Sequence, residues 1–135
     1  MIALRPDANG ARATILVVED NVELRFLVAD VLRADGFKVV EASTPDEALA
    51  FLRTPNEVDL VFSDIVLPGS MDGIAFAQLL EREYPAIRIL LTSGKVQPDE
   101  IPGNIRMIRK PYILARVISE VNAALQKEPG IDKPR

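Results

Sequence analysis

The chain has 135 residues, of which 48% are hydrophobic and 27% charged, a composition typical of a single compact globular domain. It contains neither Cys nor His, which excludes disulfide bonds, thiolate or imidazole metal ligands and a histidine base, so any catalysis depends on carboxylates, hydroxyls, Lys or a metal ion. The formal net charge of -4 argues against a nucleic-acid partner; with no apolar run of roughly 18 residues and no hydrophobic leader, we expect a cytoplasmic protein that does not enter a membrane.

Both ends of the chain lack a periodic pattern, and we expect flexible tails at residues 1–13 and 128–135. Between the tails, strand-like and helix-like segments alternate, as they do in a sheet covered on both faces by crossover helices. We therefore expect one domain at residues 14–127.

The first half of this domain predicts two strands, each followed by a helix. Thr14–Val18 is apolar at consecutive positions, as in a central strand, whereas residues 37–40 include Lys38 and predict an edge strand. Between these strands, apolar residues recur at helical spacing up to a glycine stop: Leu24, Leu27, Val28, Val31, Leu32 and then Gly36. The second helix is predicted to begin after Thr44, an N-cap followed by Pro45 and by the capping-box residue Glu47.

The second half continues the alternation. Its strands are predicted at residues 58–62, 89–91 and 105–108, and its regular helices at Gly73–Glu83 and Leu114–Leu125. Arg106 within the last strand indicates a second sheet edge. Pro98 and Pro102 leave room for only a short or irregular fourth helix around residues 97–101.

Five strands alternating with about five helices predict an α/β fold with a doubly wound, five-stranded parallel sheet of the flavodoxin-like type. With right-handed crossovers and the two edge strands above, we expect the strand order 2-1-3-4-5. The ligand crevice of such a sheet lies outside the carboxyl ends of its strands, where the winding direction reverses.

Four of the apolar runs lead into a polar residue that can bind magnesium or phosphate. Glu19 and Asp20 follow the first strand, Asp64 follows the third, and Thr92 and Lys110 follow the last two. Three crowded carboxylates repel one another unless a cation neutralises them, and hard oxygen ligands without His or Cys favour Mg²⁺. The sequence therefore predicts a magnesium site at one edge of the sheet.

A carboxylate beside a metal ion can also act as a nucleophile toward a phosphoryl group and form an aspartyl phosphate. The Lys110 ammonium can then pair with the acceptor carboxylate and later with phosphate oxygens. The Thr92 hydroxyl can donate a hydrogen bond to the phosphoryl group and move when that group arrives.

Taken singly, each of these residues has an ordinary structural explanation. Asp20 or Asn21 can cap the first helix, Asp64 can be a solvated loop carboxylate, Thr92 can belong to a plain turn, and Lys110 can be a surface cation. Their coincidence at four strand ends favours the phosphoacceptor hypothesis. Four other cations, Arg25, Arg33, Lys38 and Arg53, are expected to be solvated, and those near the first helix can also contact a kinase partner. Met107 and Tyr112 are expected to pack at the sheet edge and not to take part in signalling.

Five segments together carry a family resemblance. They are residues 17–21 (VVEDN), 63–68 (SDIVLP), 71–73 (MDG), 91–94 (LTSG) and 110–112 (KPY). In this order and spacing the chain resembles a response regulator receiver domain over residues 14–127. The resemblance implies that Asp64 is the phosphoacceptor, Thr92 the switch hydroxyl and Lys110 the phosphate-sensing cation. It also implies Mg²⁺ ligation by Asp64, directly by Asp20, through water by Glu19, and by the Val66 backbone carbonyl.

The same resemblance implies a two-component signalling phosphoprotein that takes phosphate from a histidine kinase or a histidine phosphotransfer protein. It implies self-phosphorylation and slow autodephosphorylation, with no turnover of a small-molecule substrate. We expect a stand-alone, CheY-like receiver that signals through a phosphorylation-dependent conformational change and through binding of a protein target that the sequence does not identify.

Four alternatives stay open at this point. The chain can be a receiver cut from a hybrid histidine kinase, or a pseudo-receiver that binds partners without phosphorylation. An aspartate-nucleophile phosphatase of the haloacid dehalogenase type needs a second Asp where this chain has Val66. A flavodoxin-like nucleotide module needs a phosphate loop after the first strand, where Glu19 and Asp20 would repel a phosphate dianion.

Overall fold

The computed structural model describes residues 12–94 and 105–126. Its five parallel strands form one sheet in the order β2-β1-β3-β4-β5, which confirms the predicted doubly wound topology. The strands are β1 (Thr14–Val18), β2 (Lys38–Ala42), β3 (Leu60–Asp64), β4 (Arg88–Ser93) and β5 (Arg106–Arg109). The helices within the described residues are α1 (Val22–Ala34), α2 (Pro45–Leu52), α3 (Gly73–Glu83) and α4 (Leu114–Leu125).

The sheet separates two apolar layers because alternate residues of β1 point to opposite faces. Ile15 and Val17 belong to a core cluster that includes residues of α1 and α4, whereas Leu16 and Val18 belong to a cluster that includes residues of α2 and α3. The side chains of these four β1 residues are fully buried. The central position predicted for this strand is therefore confirmed, as are the edge positions of β2 and β5.

Side-chain caps define where three helices begin. Asn21 Oδ1 accepts from the Leu24 N–H at 2.9 Å, Thr44 Oγ1 from the Glu47 N–H at 3.1 Å, and an Asp72 oxygen from the Ala75 N–H at 2.9 Å. The predicted start of α2 is thus confirmed. Because Asn21 caps α1, the neighbouring Asp20 is not needed for that role.

Element ends differ from the prediction by small amounts. β2 runs on to Ala42, β5 begins at Arg106, and β3 and β4 extend to Asp64 and Ser93. Leu27 was predicted on the buried stripe of α1 but is 48% exposed, because the buried face of the helix is centred on Val28, Ala29 and Leu32.

The first residues described already pack against the domain. Ala13 is buried, and the Arg12 guanidinium forms a 2.8 Å ion pair with Asp35 and lies 4.3 Å above the centre of the Phe37 ring. The rest of the predicted N-terminal tail, the predicted C-terminal tail and the predicted short fourth helix lie outside the described residues. Within those that are described, helices with the length and hydrophobicity needed to cross a bilayer are absent.

Candidate functional site

The carboxyl ends of the central strands bring three acidic side chains together. Asp64 is the last residue of β3, and Glu19 follows β1 directly, its N–H donating to the Ala42 carbonyl of β2 at 3.0 Å. One carboxylate oxygen from each of Glu19, Asp20 and Asp64 lies within 4.8 Å of the other two. The sequence-predicted acidic cluster therefore exists as a spatial group.

Glu19 is the most buried of the three acids. It is only 5% exposed, and its Oε2 accepts a hydrogen bond from the Asn21 N–H at 3.0 Å. Burial raises the pKa of Glu19 above its ordinary value, the Asp64 charge raises it further, and the Asn21 N–H and the Lys110 ammonium oppose the shift. Such a carboxyl group ionises more readily when a cation binds beside it.

Asp64 is held by one contact on each carboxylate oxygen. The Lys110 ammonium lies 2.7 Å from Oδ2, and the Val66 N–H donates to Oδ1 at 3.2 Å. Asp64 is 7% exposed, which leaves part of the carboxylate accessible from outside. Lys110 is itself positioned by its N–H, which donates to the Ser93 carbonyl at the end of β4 at 2.8 Å.

Thr92 stands beside Asp64 in the sheet. It pairs with Asp64 in the β3–β4 register, and its carbonyl accepts from the Ile65 N–H at 3.0 Å. Its Oγ1 is buried and has no hydrogen-bond partner among the described residues. A buried hydroxyl in this state can gain a hydrogen bond as soon as an acceptor enters the site.

The loop after β3 is anchored at both of its sides. Ser70 Oγ donates to Asp46 in the first turn of α2, at 2.9 Å from Oδ1 and 3.2 Å from Oδ2. The Gly73 N–H donates to the Ile65 carbonyl at 2.7 Å, and Gly69 adopts a φ of 112°, which favours glycine. Val66, in this loop, is 71% exposed and supplies no acidic group.

Arg25 departs from the sequence-based expectation. It was predicted to be a solvated cation, but its side chain is only 18% exposed; its NH1 donates to the Glu19 carbonyl at 2.9 Å, and its Nε lies 3.2 Å from Glu41. Arg33 also pairs with Glu41, at 3.1 Å. In the sequence, Glu41 on the strand that follows α1 indicates that an acidic partner is available to these cations. Its position does not reveal which cation contacts it.

Tyr112 and Met107 occupy packing positions. Tyr112 is half-buried against the core cluster and meets Phe62 edge to face, with ring centres 6.4 Å apart. Burial raises the pKa of Tyr112 to about 12, with smaller contributions from Glu19 and Asp64. Met107 packs against the cluster that contains Leu91 and Ile105.

The geometry suits a hard divalent cation and an aspartate nucleophile. The three grouped side chains offer carboxylate oxygens, which fit Mg²⁺ better than a softer transition metal. The Lys110 ammonium contacts the buried Asp64 carboxylate. This combination can bind a phosphoryl group and offset the charge that builds up while the group is transferred.

Comparison with known proteins gives a consistent result. The family model for the response regulator receiver domain matches residues 15–120. The chain is 31% identical over 128 residues to sensor kinase CckA of Brucella abortus, covering 90% of this chain and 13% of that protein. It is 33% identical over 120 residues to the phosphate regulon regulatory protein PhoB of Klebsiella pneumoniae, covering 84% and 52%.

A third relative, the nitrogen assimilation regulatory protein NtrX of Azorhizobium caulinodans, is 32% identical over 120 residues, covering 83% of this chain and 26% of that protein. The chain thus spans about half the length, or less, of the curated relatives named here.

Solved structures agree in fold. A response regulator receiver protein from Sinorhizobium medicae superposes with a TM-score of 0.78 at 25% identity, covering 88% of this chain and 98% of that one. NtrX from Brucella abortus, solved in complex with ADP, superposes with a TM-score of 0.76 at 33% identity, covering 84% of this chain and 27% of that one.

Proposed function

Because the chain belongs to the response regulator receiver domain family, we propose that it accepts a phosphoryl group onto Asp64 in a magnesium-dependent reaction. The observation that carries this proposal is the environment of Asp64. This carboxylate is buried, contacts the Lys110 ammonium at 2.7 Å and lies within 4.8 Å of two further carboxylates.

The donor in this proposal is a phosphohistidine of a histidine kinase or a histidine phosphotransfer protein; it lies outside these 135 residues, which contain no His. An Asp64 carboxylate oxygen attacks phosphorus, the phosphorus–nitrogen bond breaks, and the imidazole leaves with its electron pair. The product is a mixed anhydride on Asp64, and water later hydrolyses it to return the carboxylate and inorganic phosphate.

Glu19, Asp20 and Asp64 are the side chains that would hold Mg²⁺ in this proposal, together with the Val66 backbone carbonyl. The Val66 N–H contact to Asp64 Oδ1 at 3.2 Å supports a role for this backbone segment beside the acceptor. When bound, the ion supplies positive charge against the oxygens of the phosphoryl group in transfer. The chain's own residues hold the acceptor carboxylate in place and exclude water from one side of it.

Lys110 and Thr92 have successive roles in the proposal. The Lys110 ammonium holds the unmodified carboxylate and then pairs with phosphate oxygens. Thr92 Oγ1 turns to donate a hydrogen bond to the phosphoryl group, and its lack of a partner among the described residues supports this movement. The resulting shift in β4 and its neighbours changes which protein target the domain binds, and the net charge of -4 supports a protein over nucleic acid. The proposal includes a cytoplasmic location.

The test uses acetyl phosphate as a small phosphoryl donor. Incubation of the 135-residue chain with acetyl phosphate and Mg²⁺ is expected to add one phosphoryl group, seen by intact-protein mass spectrometry. Asp64→Asn and chelation by EDTA should each abolish the adduct. Asp30→Asn, which removes an exposed carboxylate from α1, is the matched control and should leave it intact. An adduct of wild-type yield on Asp64→Asn would overturn the proposal.

A receiver within a hybrid histidine kinase is the second candidate, and the 31% identity to sensor kinase CckA supports retaining it. The phosphoacceptor chemistry at Asp64 is the same in both cases. An immunoblot of the native host with an antibody against this domain separates them, because the hybrid kinase predicts a band several times larger than a 135-residue protein.

A further inference from the structure

We propose that Arg25 positions the Glu19–Asp20 turn for magnesium binding, an inference that rests on the proposed function. Arg25 lies in the first turn of α1, the helix that follows the Glu19–Asp20 turn. Its guanidinium does not contact the carboxylate of a candidate ligand, so it acts through the backbone.

The Arg25 guanidinium joins two elements at one point. NH1 donates to the Glu19 carbonyl at 2.9 Å, while Nε donates to Glu41 Oε1 on β2 at 3.2 Å. The Arg25 side chain is 18% exposed; its contact to the Glu19 carbonyl is part-buried, whereas its contact to Glu41 lies at the surface. A planar guanidinium held at two places has little freedom to rotate, which fixes the direction of the carbonyl that it contacts.

The contact from Arg25 also restrains Asp20, because the Glu19 carbonyl and the Asp20 N–H belong to one planar peptide unit. On the other side of Glu19, its own N–H donates to the Ala42 carbonyl at 3.0 Å. The backbone of Glu19 is therefore held at both ends, by β2 directly and by β2 through Arg25 and Glu41. Two carboxylate ligands project from this restrained segment.

Charge and geometry predict opposite effects at this position. A cation near the acidic cluster repels Mg²⁺, so Arg25 acting only through its charge would weaken metal binding, and its removal would strengthen it. Arg25 acting as a positioning residue would strengthen binding, and its removal would weaken it. The sign of the change in affinity therefore distinguishes the two effects.

The experiment measures the dissociation constant for Mg²⁺ alone by isothermal titration calorimetry, on wild type, Arg25→Gln and Arg33→Gln. Arg33→Gln is the matched control, because it breaks the other ion pair to Glu41 without a contact to Glu19. We expect Arg25→Gln to weaken Mg²⁺ binding on the order of tenfold, as is typical when a residue that supports a metal ligand is lost. Arg33→Gln should bind within about twofold of wild type.

A second readout is the amide chemical shift of Asp20 in the metal-free chain, which we expect to move in Arg25→Gln and not in Arg33→Gln. If Arg25→Gln does not fold, as judged by circular dichroism, Arg25→Lys replaces it, since Lys keeps the charge but cannot fork between Glu19 and Glu41. Unchanged or tighter binding in the Arg25 variant, or equal weakening in Arg33→Gln, would overturn the inference. Failure of the wild type to bind Mg²⁺ would overturn the proposed function itself.

Discussion

Among the described residues of the site, three carboxylates face one ammonium group, so the negative charge is only partly balanced. Three carboxylates meet, and Lys110 is the ammonium that contacts Asp64 at 2.7 Å. Without a bound cation, the remaining repulsion and the burial of Glu19 oppose folding; in the proposed magnesium-bound state the same three carboxylates would serve as ligands. Charge crowding of this kind is typical of functional sites.

Thr92→Val tests the unpaired hydroxyl. Because Thr92 Oγ1 is buried without a hydrogen-bond partner among the described residues, replacing the hydroxyl by a methyl group removes an unsatisfied polar atom at nearly constant volume. We expect the free energy of unfolding, measured by urea titration, to stay the same or rise by about 1 kcal/mol. A loss of about 1 kcal/mol or more would show that the hydroxyl has a hydrogen-bond partner in the unphosphorylated state.

Glu19→Gln tests the raised pKa. At pH values between the ordinary pKa of 4.5 and the raised pKa of the folded chain, Glu19 binds more protons in the native state than in the unfolded state. Protonation of Glu19 should therefore add to the stability of the metal-free wild type as the pH falls through that window. Glu19→Gln keeps the acceptor for the Asn21 N–H and removes the charge, so it should be more stable than wild type at neutral pH in EDTA and should lack this pH-dependent contribution.

Glu47→Gln provides the comparison of opposite sign. Hydrogen bonds from Ser43 lower the pKa of Glu47. Glu47 therefore stabilises the fold at pH values above its ordinary pKa, and this contribution is lost as the pH falls through the lowered pKa. Glu47→Gln should therefore be less stable than wild type at neutral pH. Urea titrations of both variants across the acidic range check these signs, and a stability gain in Glu47→Gln or a loss in Glu19→Gln would contradict them.

At the scale of elements, the site depends on how closely α3 approaches the end of β3. A Cβ on Gly73, the first residue of α3, would lie 2.2 Å from the Asp64 carbonyl oxygen and 2.6 Å from Ile65 Cα. Both neighbours are backbone atoms and cannot move aside without displacing the end of β3. The glycine at position 73 therefore allows α3 to begin close to β3 without displacing Asp64.

Gly73→Ala should destabilise the fold by about 3 kcal/mol, despite the gain of about 1 kcal/mol that Ala usually brings to a helix. It should also lower the yield of phosphorylation by acetyl phosphate, because Asp64 is shifted. Gly94→Ala is the control, since a Cβ there would meet Lys110 Cβ at an ordinary 3.9 Å. Urea titration measures both, and equal stability of the two variants would contradict the close-approach argument.

Helix starts could be predicted because their signals are local. Thr44, Pro45 and Glu47 are neighbours in sequence, and the same three residues form the start of α2 in the structure. The role of Arg25 could not be predicted, because its partners lie on two other segments and the reach of a long side chain depends on how those segments pack. The Ser70 contact to Asp46 was missed for the same reason.

At the scale of the whole molecule, patterning predicts which strands lie at the centre and at the edges of the sheet. The uncharged run of β1 is central, and the runs that contain Lys38 and Arg106 are the edge strands, whereas Arg88 at the start of the interior strand β4 shows that a cation at a strand end does not mark an edge. Parallel strands then carry Glu19, Asp64 and Thr92 to one edge of the sheet. The site residues were predictable through this topology, whereas distances such as the 2.7 Å contact of Lys110 required the packed structure.

The most direct test of the central claim is to locate the phosphoryl group on the chain. After incubation with acetyl phosphate and Mg²⁺, borohydride reduces an aspartyl phosphate to homoserine, and peptide mass spectrometry then identifies the modified position. We predict homoserine at Asp64 and at no other acidic residue, with none formed in EDTA. Homoserine at Asp20, or an adduct that forms equally well without a divalent ion, would contradict the assignment of Asp64 as a magnesium-dependent phosphoacceptor.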